Sequence, residues 1–151
     1  MAKQTKLQLK PFIEKWAEKF AIDPALVYGV IMAESAGDSL AARFEPNYRY
    51  LLTPSLVRPA ICSIQTEEIL QKISIGLMQV MGAVYREYGY RGWLTSLFND
   101  VDRQIQYGTK HLSKKVKKYG KARGISAYNA GVPTNKNTDY INKVLKFASE
   151  Y

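Results

Sequence analysis

The chain has 151 residues but only one cysteine, Cys62, and one histidine, His111. A lone cysteine excludes a disulfide within the chain, and one residue of each type leaves too few ligands for a zinc site built from cysteine and histidine. We therefore expect no metal site and no cofactor. We also expect Cys62 to be buried without a chemical role, and His111, beside Lys110, to be exposed to solvent.

Long apolar runs are also absent from the sequence. No segment approaches the roughly 18 consecutive apolar residues of a membrane-crossing helix, so we expect no stable membrane insertion. The first ten residues carry charge without the apolar core of a secretory signal, which predicts a chain that is not exported by a standard N-terminal route. The alternation typical of strands is nearly absent, so the prediction is one mainly α domain over residues 1–151.

Acidic residues are outnumbered, since 13 Asp and Glu stand against 22 Lys and Arg, and the formal net charge is +9. The densest basic run is formed by Lys114, Lys115, Lys117, Lys118, Lys121 and Arg123. Such a run is typical of a solvated helix face. The alternative is an anionic partner, which could be a nucleic acid, an acidic membrane surface or an anionic polymer.

Apolar residues concentrate in one short stretch between Asp23 and Gly37. Asp23 is a typical N-cap residue, and Pro24 suits the first helical position, where no amide donor is needed. Gly37 can adopt the left-handed backbone that ends a helix. Between these residues the stretch has almost no polar face, which predicts a short helix that is covered on most sides.

Glu34 is a charged residue in the last turn of this predicted helix. A carboxylate is costly to bury without a partner, and the C-terminal end of a helix dipole disfavours negative charge. Both effects predict that Glu34 holds its proton more tightly than a surface glutamate does, and such a carboxyl group can act as a general acid. The alternative is that Glu34 ends in solvent or pairs with one of the many Lys and Arg residues.

Other segments with helical periodicity flank this stretch. The pattern predicts helices over residues of about 7–20, 77–88, 101–118 and 123–130, with further helices that start near Thr66 and Thr138. Residues 38–65 have no clear period and contain three prolines. We therefore expect a long, partly ordered excursion there, with at most a small β element. Excursions of this length inside compact domains often carry function.

Three segments in order resemble one known family. They are Glu34-Ser35-Ala36-Gly37, Ser74-Ile75-Gly76-Leu77-Met78-Gln79-Val80-Met81, and Ala127-Tyr128-Asn129-Ala130-Gly131 followed by Tyr140. Each motif alone is weak, but together, over roughly residues 20–148, they resemble the catalytic domain of the soluble lytic transglycosylases, which are related to goose-type lysozyme. The stretch Arg43–Tyr48 is similar to a variant in compact, often phage-borne members.

The resemblance implies a lysozyme-like fold with a sugar groove between helices, and it implies that Glu34 is the catalytic acid. It further implies substrate-binding roles for Ser35, Gly76, Gln79, Met81, Tyr128, Asn129 and Tyr140. Glu45 and Tyr48 are also predicted substrate contacts, in an interval after Glu34 that is longer than is usual for the family. The alternative for these two residues is a structural Arg43–Glu45 pair and a packed tyrosine ring.

The implied reaction is cleavage of the β-1,4 bond between N-acetylmuramic acid and N-acetylglucosamine in bacterial peptidoglycan. In such enzymes the muramic acid C6 hydroxyl attacks the anomeric carbon while the glutamate acts as acid and then as base, which leaves a 1,6-anhydro end. The alternative is hydrolysis by a water that Asp38 or Glu45 holds. Two further alternatives are an inactive, wall-binding relative and, from the charge alone, a basic nucleic-acid-binding module.

The implied partners are peptidoglycan glycan strands and, through the positive charge, anionic cell envelopes. We expect a monomer without a nucleic-acid partner. A compact basic domain without a secretory signal favours a phage-type endolysin, which passes from the host cytoplasm to the periplasm and cell wall. The alternatives are a lysin carried in a virion and a domain of a larger protein.

Overall fold

The computed structural model of the protein describes residues 3–151, which form eight α-helices, one 3-10 helix and one three-stranded antiparallel sheet. The helices are α1 Lys6–Lys19, α2 Pro24–Ser35, α3 Pro54–Val57, α4 Ile64–Gln71, α5 Gly82–Glu87, α6 Val101–Tyr119, α7 Lys121–Ala130 and α8 Thr138–Ala148. The 3-10 helix is Leu94–Asn99, and the strands are β1 Ala42–Phe44, β2 Ile73–Ile75 and β3 Val80–Met81. The prediction of a mainly α fold is confirmed.

The sheet extends beyond the predicted β element in residues 38–65. Only β1 lies there, and β2, the central strand, pairs with both β1 and β3. Between β2 and β3 the chain reverses through left-handed backbone at Gly76 (φ 76°) and Gln79 (φ 51°). Because of this turn, the helix predicted from about Leu77 begins only with α5.

Helix α2 is buried along most of its length, as its composition predicts. Its buried residues are Leu26, Val27, Tyr28, Gly29, Val30 and Ile31. The Asp23 carboxylate accepts a 2.9 Å hydrogen bond from the Ala25 amide and caps the helix. The helix ends at Ala36, which is left-handed (φ 52°), one residue before the predicted Gly37, which is left-handed as well (φ 84°).

Helix α8 packs closely against α2. A Cβ atom at Gly29 would lie 2.4 Å from the carbonyl oxygen of Val144, so only glycine permits this spacing of the two backbones. Helix α8 starts at Thr138 as predicted, although the N-cap position belongs to Asn137. The packing brings Tyr140 to the end of α2 that carries Glu34.

Local capping explains where two further helices begin. Helix α6 starts after Asp100, whose carboxylate accepts a 3.0 Å bond from the Arg103 amide, and the helix matches the predicted range 101–118 to within one residue. Helix α4 begins two residues earlier than predicted. Its cap is Ser63, whose hydroxyl oxygen accepts a 3.1 Å bond from the Thr66 amide.

A buried ion pair anchors the long segment between α2 and α5. Glu67 of α4 and Arg86 of α5 are fully buried, and two parallel N–H···O bonds of 2.8 Å join them. Gln71 donates to the same carboxylate at 2.8 Å and bonds the backbone of Leu52 with both ends of its amide group. The predicted excursion is therefore held to the sheet-bearing part of the protein by a polar network that the sequence pattern did not reveal.

Residues 3–151 contain neither a candidate membrane-crossing helix nor a candidate metal-binding cluster. No helix in this range is both long and apolar enough to cross a membrane. No three side chains of His, Cys, Asp or Glu in the same range are grouped as a metal ion would require. Cys62 is buried with a free thiol, in agreement with the prediction of its burial.

Replacing Arg86 with Met should lower the free energy of unfolding by about 3–5 kcal/mol, because the Glu67 carboxylate would stay buried without its partner. The measurement is urea-induced unfolding followed by circular dichroism. The control is Lys10→Met, which breaks an exposed pair with Glu14 (3.6 Å) and should cost no more than about 1 kcal/mol. Equal losses in the two variants would contradict the anchoring role of the buried pair.

Candidate active site

A groove of about 630 Å³ opens beside the C-terminal end of α2. We call the lining residues of the segment that begins with β1 the β1 wall: Arg43, Glu45, Tyr48 and Tyr50. We call His111 and Lys115 of α6, together with residues 128–131 at the end of α7, the helical wall. Strand β3 and helix α5 contribute Val80, Met81, Val84 and Glu87, and Glu34, Ser74 and Gln79 complete the lining. The groove therefore brings together residues that lie far apart in the chain.

Glu34 lies in the last turn of α2, partly buried in the groove lining. Burial raises its pKa above the ordinary value for glutamate. The neighbouring Tyr140 and the charges of Arg43 and Lys143 oppose this rise without cancelling it. The proton retention predicted for Glu34 thus has a structural cause, which is the loss of water around the carboxyl group.

Two tyrosines accompany Glu34. The Tyr140 hydroxyl is buried next to the Glu34 carboxyl group, yet within residues 3–151 no atom meets it with full hydrogen-bond geometry. Burial, followed by the charge of Glu34, raises the pKa of Tyr140. Tyr128, on the groove side, donates its hydroxyl proton to the Met78 carbonyl oxygen at 2.5 Å. Tyr140 itself lies outside the groove lining, next to the Glu34 carboxyl group.

Two predicted substrate contacts, Ser35 and Gly76, support the turn between β2 and β3 without lining the groove. Ser35 donates to the Leu77 carbonyl oxygen at 2.8 Å and accepts from the Gly37 amide at 3.2 Å. A Cβ atom at Gly76 would lie 2.2 Å from the side chain of Gln104. The structure thus gives Ser35 and Gly76 a supporting role outside the groove lining, and their predicted substrate contacts stay predictions.

Gln104 is fully buried, although no motif pointed to it. Its Oε1 atom accepts from the Leu77 amide at 2.8 Å, and its Nε2 atom donates to the carbonyl oxygens of Ser39 (3.0 Å) and Leu97 (2.7 Å). It thereby ties α6 to the turn that shapes the groove. One feature of the sequence could have identified Gln104, which is its position directly before Ile105 on the face of α6 that carries the apolar residues.

Two amide side chains line the groove in orientations that their partners determine. Gln79 donates from Nε2 to the carbonyl oxygens of Ala41 (3.0 Å) and Gly76 (2.9 Å), which leaves its Oε1 atom as an acceptor. Asn129 accepts at Oδ1 from Asn137 at 3.1 Å, which leaves its Nδ2 atom as a donor. The groove therefore offers a ligand one amide acceptor and one amide donor.

The β1 wall combines an ion pair with an aromatic pair. Arg43 Nε lies 2.5 Å from a Glu45 carboxylate oxygen, and the rings of Tyr48 and Tyr50 meet edge to face with 5.7 Å between centroids. The predicted contacts Glu45 and Tyr48 thus share one groove with Glu34, and the Arg43–Glu45 pair considered as their alternative is present as well.

Two other carboxylates accompany Glu34 in the lining, those of Glu45 and Glu87. Asp38, one of the two residues considered as a holder of water, is not among the lining residues, and its Oδ1 atom accepts from the Leu40 amide at 2.9 Å. Glu87 was not predicted, because nothing in its sequence surroundings distinguishes it from a surface glutamate.

The prediction that His111 is exposed to solvent is wrong. The residue is partly buried in the groove lining, and its Nδ1 atom lies 2.6 Å from the Tyr88 hydroxyl oxygen. Burial, together with the positive charges of Lys115 and Lys114, lowers the pKa of His111 to about 4. The ring is therefore neutral near neutral pH. The periodicity of α6 could not show that residues from α7 and from the end of α5 cover this position.

Residues 11–149 match the family model of the transglycosylase SLT domain. The chain belongs to the transglycosylase SLT domain family. Members of this family are lytic transglycosylases that act on peptidoglycan, which confirms the predicted family and enzyme class. The mainly helical architecture with its small sheet agrees with the lysozyme-like fold of the SLT domain. The comparison with curated proteins gives no match.

The raised pKa of Glu34 predicts that this residue destabilises the folded SLT domain near neutral pH. A carboxyl group with a higher pKa in the folded state stabilises that state below the unfolded pKa and loses this contribution as pH rises through the folded pKa. Glu34→Gln should therefore unfold at a higher urea concentration than the wild type near neutral pH. The difference should shrink below pH 4.5, the ordinary value for the carboxyl group.

The effect of Glu34 on stability is separated from other effects by the difference between Glu34→Gln and the wild type and by a control substitution. His111 also titrates in the acidic range, with the opposite sign, because its lowered pKa makes the folded state the weaker proton binder. This contribution is common to both proteins and cancels in their difference. Glu18→Gln, at an exposed position of α1, is the control and should change the urea midpoint little. A Glu34→Gln protein no more stable than the wild type near neutral pH would contradict the raised pKa.

Proposed function

We propose that this SLT domain cleaves the β-1,4 bond between N-acetylmuramic acid and N-acetylglucosamine without water, with Glu34 as acid and then as base. The observation that supports this most directly is the partly buried Glu34 carboxyl group in the groove, with a pKa raised by burial. A group that keeps its proton near neutral pH meets the need of a glycosidic leaving oxygen.

The proposed reaction balances within the substrate and one side chain. Glu34 gives its proton to the bridging oxygen as the bond between that oxygen and muramic acid C1 breaks, and N-acetylglucosamine departs with a hydroxyl group. The muramic acid C6 hydroxyl then bonds to C1, and the Glu34 carboxylate takes up the proton of that hydroxyl. The product carries a 1,6-anhydro end, and Glu34 is protonated again for the next cycle.

The groove supplies the other contacts in this proposal. The Nδ2 donor of Asn129 and the Oε1 acceptor of Gln79 bind the N-acetyl groups and hydroxyls of the sugars. The ring of Tyr48 packs against a sugar face, and Met81 contributes an apolar contact. The Tyr140 hydroxyl orients the Glu34 carboxyl group from outside the groove lining.

Hydrolysis is the second candidate, because the Glu45 carboxylate lines the same groove as Glu34. A second carboxylate at a suitable distance can activate a water on the opposite face of the sugar, as inverting glycosidases do. Glu45 is already paired with Arg43, so a water that used this carboxylate would have to compete with the guanidinium group for its oxygens. We therefore place the route without water first.

Glu34→Gln should slow the release of muropeptides from purified cell walls by about 10²–10⁴-fold, the usual contribution of a general acid–base group. Glu45→Gln makes the same chemical change in the same groove and serves as the matched control. Under the proposed reaction it slows release far less, and mass spectra show 1,6-anhydro ends with both the wild type and this variant.

Two results would contradict this assignment. Undiminished release by Glu34→Gln would remove Glu34 from the chemistry. Reducing ends in the wild-type products, lost together with activity in Glu45→Gln, would establish the hydrolytic route instead.

We also propose that the protein acts as a phage-type endolysin, a monomer that reaches the wall from the host cytoplasm once the inner membrane opens. The support is the formal net charge of +9, with a basic run over residues 114–123 that favours attraction to anionic cell envelopes. Such charge also suits nucleic acid, but the family match over residues 11–149 concerns an enzyme of the cell wall. Transport within a virion is the remaining alternative.

Bacteria that produce the protein in their cytoplasm should grow normally until chloroform opens the inner membrane, and should lyse after that treatment. Culture turbidity is the measurement. Cells that produce Glu34→Gln should not lyse faster than untransformed cells after the same treatment. Lysis of producing cells without chloroform would contradict a lysin that waits for the membrane to open.

A further inference from the structure

The two walls of the groove differ in their balance of charge. On the β1 wall, Arg43 is paired with Glu45. On the helical wall, Lys115 has no carboxylate within ion-pair distance in the part of the chain that the structure describes. Its ammonium group donates to the Gly131 carbonyl oxygen at 2.7 Å, which holds Nζ at the groove and leaves donors for a ligand. The helical wall therefore presents a positive charge without a counter-charge.

His111 lies one helical turn before Lys115 and lines the same wall. Its Nδ1 atom is engaged by the Tyr88 hydroxyl at 2.6 Å. Burial raises the pKa of the Tyr88 hydroxyl to about 12, so this group keeps a proton that it can donate. We assign the hydroxyl as the donor to Nδ1, which places the proton of the neutral imidazole on Nε2.

The other ring nitrogen of His111, Nε2, has no hydrogen-bond partner in the described residues. No hydrogen bond joins it to another atom within residues 3–151, and it is not one of the fully buried atoms that lack a partner. It is therefore open to the groove. Together with Lys115 it places two donors, one of them charged, one turn apart on the helical wall.

A carboxylate is the group that suits this donor pair. Hydrogen bonds between a charged donor and a carboxylate are roughly twice as strong as neutral ones. In peptidoglycan, the acetamido and hydroxyl groups of the sugar rings are neutral, whereas the peptide stems on the lactyl groups of muramic acid carry carboxylates. We propose that Lys115 and His111 form a subsite for a carboxylate of the peptide stem. This inference rests on the proposed function, because it needs a glycan strand in the groove.

Binding to soluble glycan fragments tests the subsite without cleavage when every protein carries Glu34→Gln. The ligands are fragments with intact peptide stems, the same fragments with their carboxylates converted to carboxamides, and a neutral chitin oligosaccharide. Lys115→Met should weaken binding of the first ligand by about tenfold, in line with the loss of a charged hydrogen bond. The same substitution should change the affinity for the carboxamide fragments and for the chitin oligosaccharide by less than about twofold, because neither ligand offers a carboxylate to Lys115.

Matched variants separate the subsite from other effects. Lys19→Met removes the same charge from an exposed position of α1 and should leave all three affinities unchanged. His111→Ala should weaken binding of the intact stem. His111→Gln, whose amide nitrogen can take the place of Nε2, should restore part of that loss, which a purely structural role for His111 would not predict.

The outcomes distinguish this inference from the proposed function. Equal weakening for all three ligands would overturn the subsite and assign Lys115 to general glycan binding. An unchanged affinity of Lys115→Met for the fragments with intact stems would also overturn the subsite. In either case, cleavage by the protein with native Glu34 and its loss in Glu34→Gln would still support the proposed reaction. Failure of that reaction would show itself separately, as undiminished cleavage by Glu34→Gln.

Discussion

The protonation of Glu34 depends on where α2 ends. An apolar helix is covered along its length, and its last turn carries one carboxyl group to the edge of the groove, where burial raises the pKa. Two contacts hold the helix in place. Helix α8 lies against the middle of α2 at Gly29, where no side chain could fit, and at the C-terminal end Ser35 bonds the carbonyl oxygen of Leu77 in the turn between β2 and β3. The acid and the turn that lines the groove are thus positioned by the same contacts.

The β1 wall depends on a different interaction, between residues that do not line the groove. The segment that carries Glu45 and Tyr48 has little regular structure, yet the buried Glu67–Arg86 pair and the Gln71 bonds to Leu52 hold its later part. A buried ion pair contributes little net stability compared with apolar packing, but it strongly disfavours arrangements that separate its partners. This property suits a segment whose task is to keep a wall of the groove in one position.

Sequence reasoning succeeded where the determining contacts are local. The caps and apolar periodicity of α2 and α6 lie within a few residues of each helix, and both were predicted to within a residue or two. It failed for the strand β3, where a run of apolar residues suits a helix as well as a buried turn, and left-handed backbone at Gln79 decides for the turn. It also failed for His111, because the residues that cover it come from other parts of the chain.

The sequence by itself determined the long helices, the family and the carboxyl group at position 34, because capping, periodicity and short motifs are properties of neighbouring residues. The tertiary structure decided which side chains share the groove. It brought Glu45 and Glu87 into the same groove as Glu34, directed Ser35 toward the turn that contains Gly76, and placed His111 against Tyr88. The apolar composition of α2 indicated the burial of Glu34, but the burial of His111 and the lack of an ion-pair partner for Lys115 depend on segments distant in the chain, which no local pattern shows.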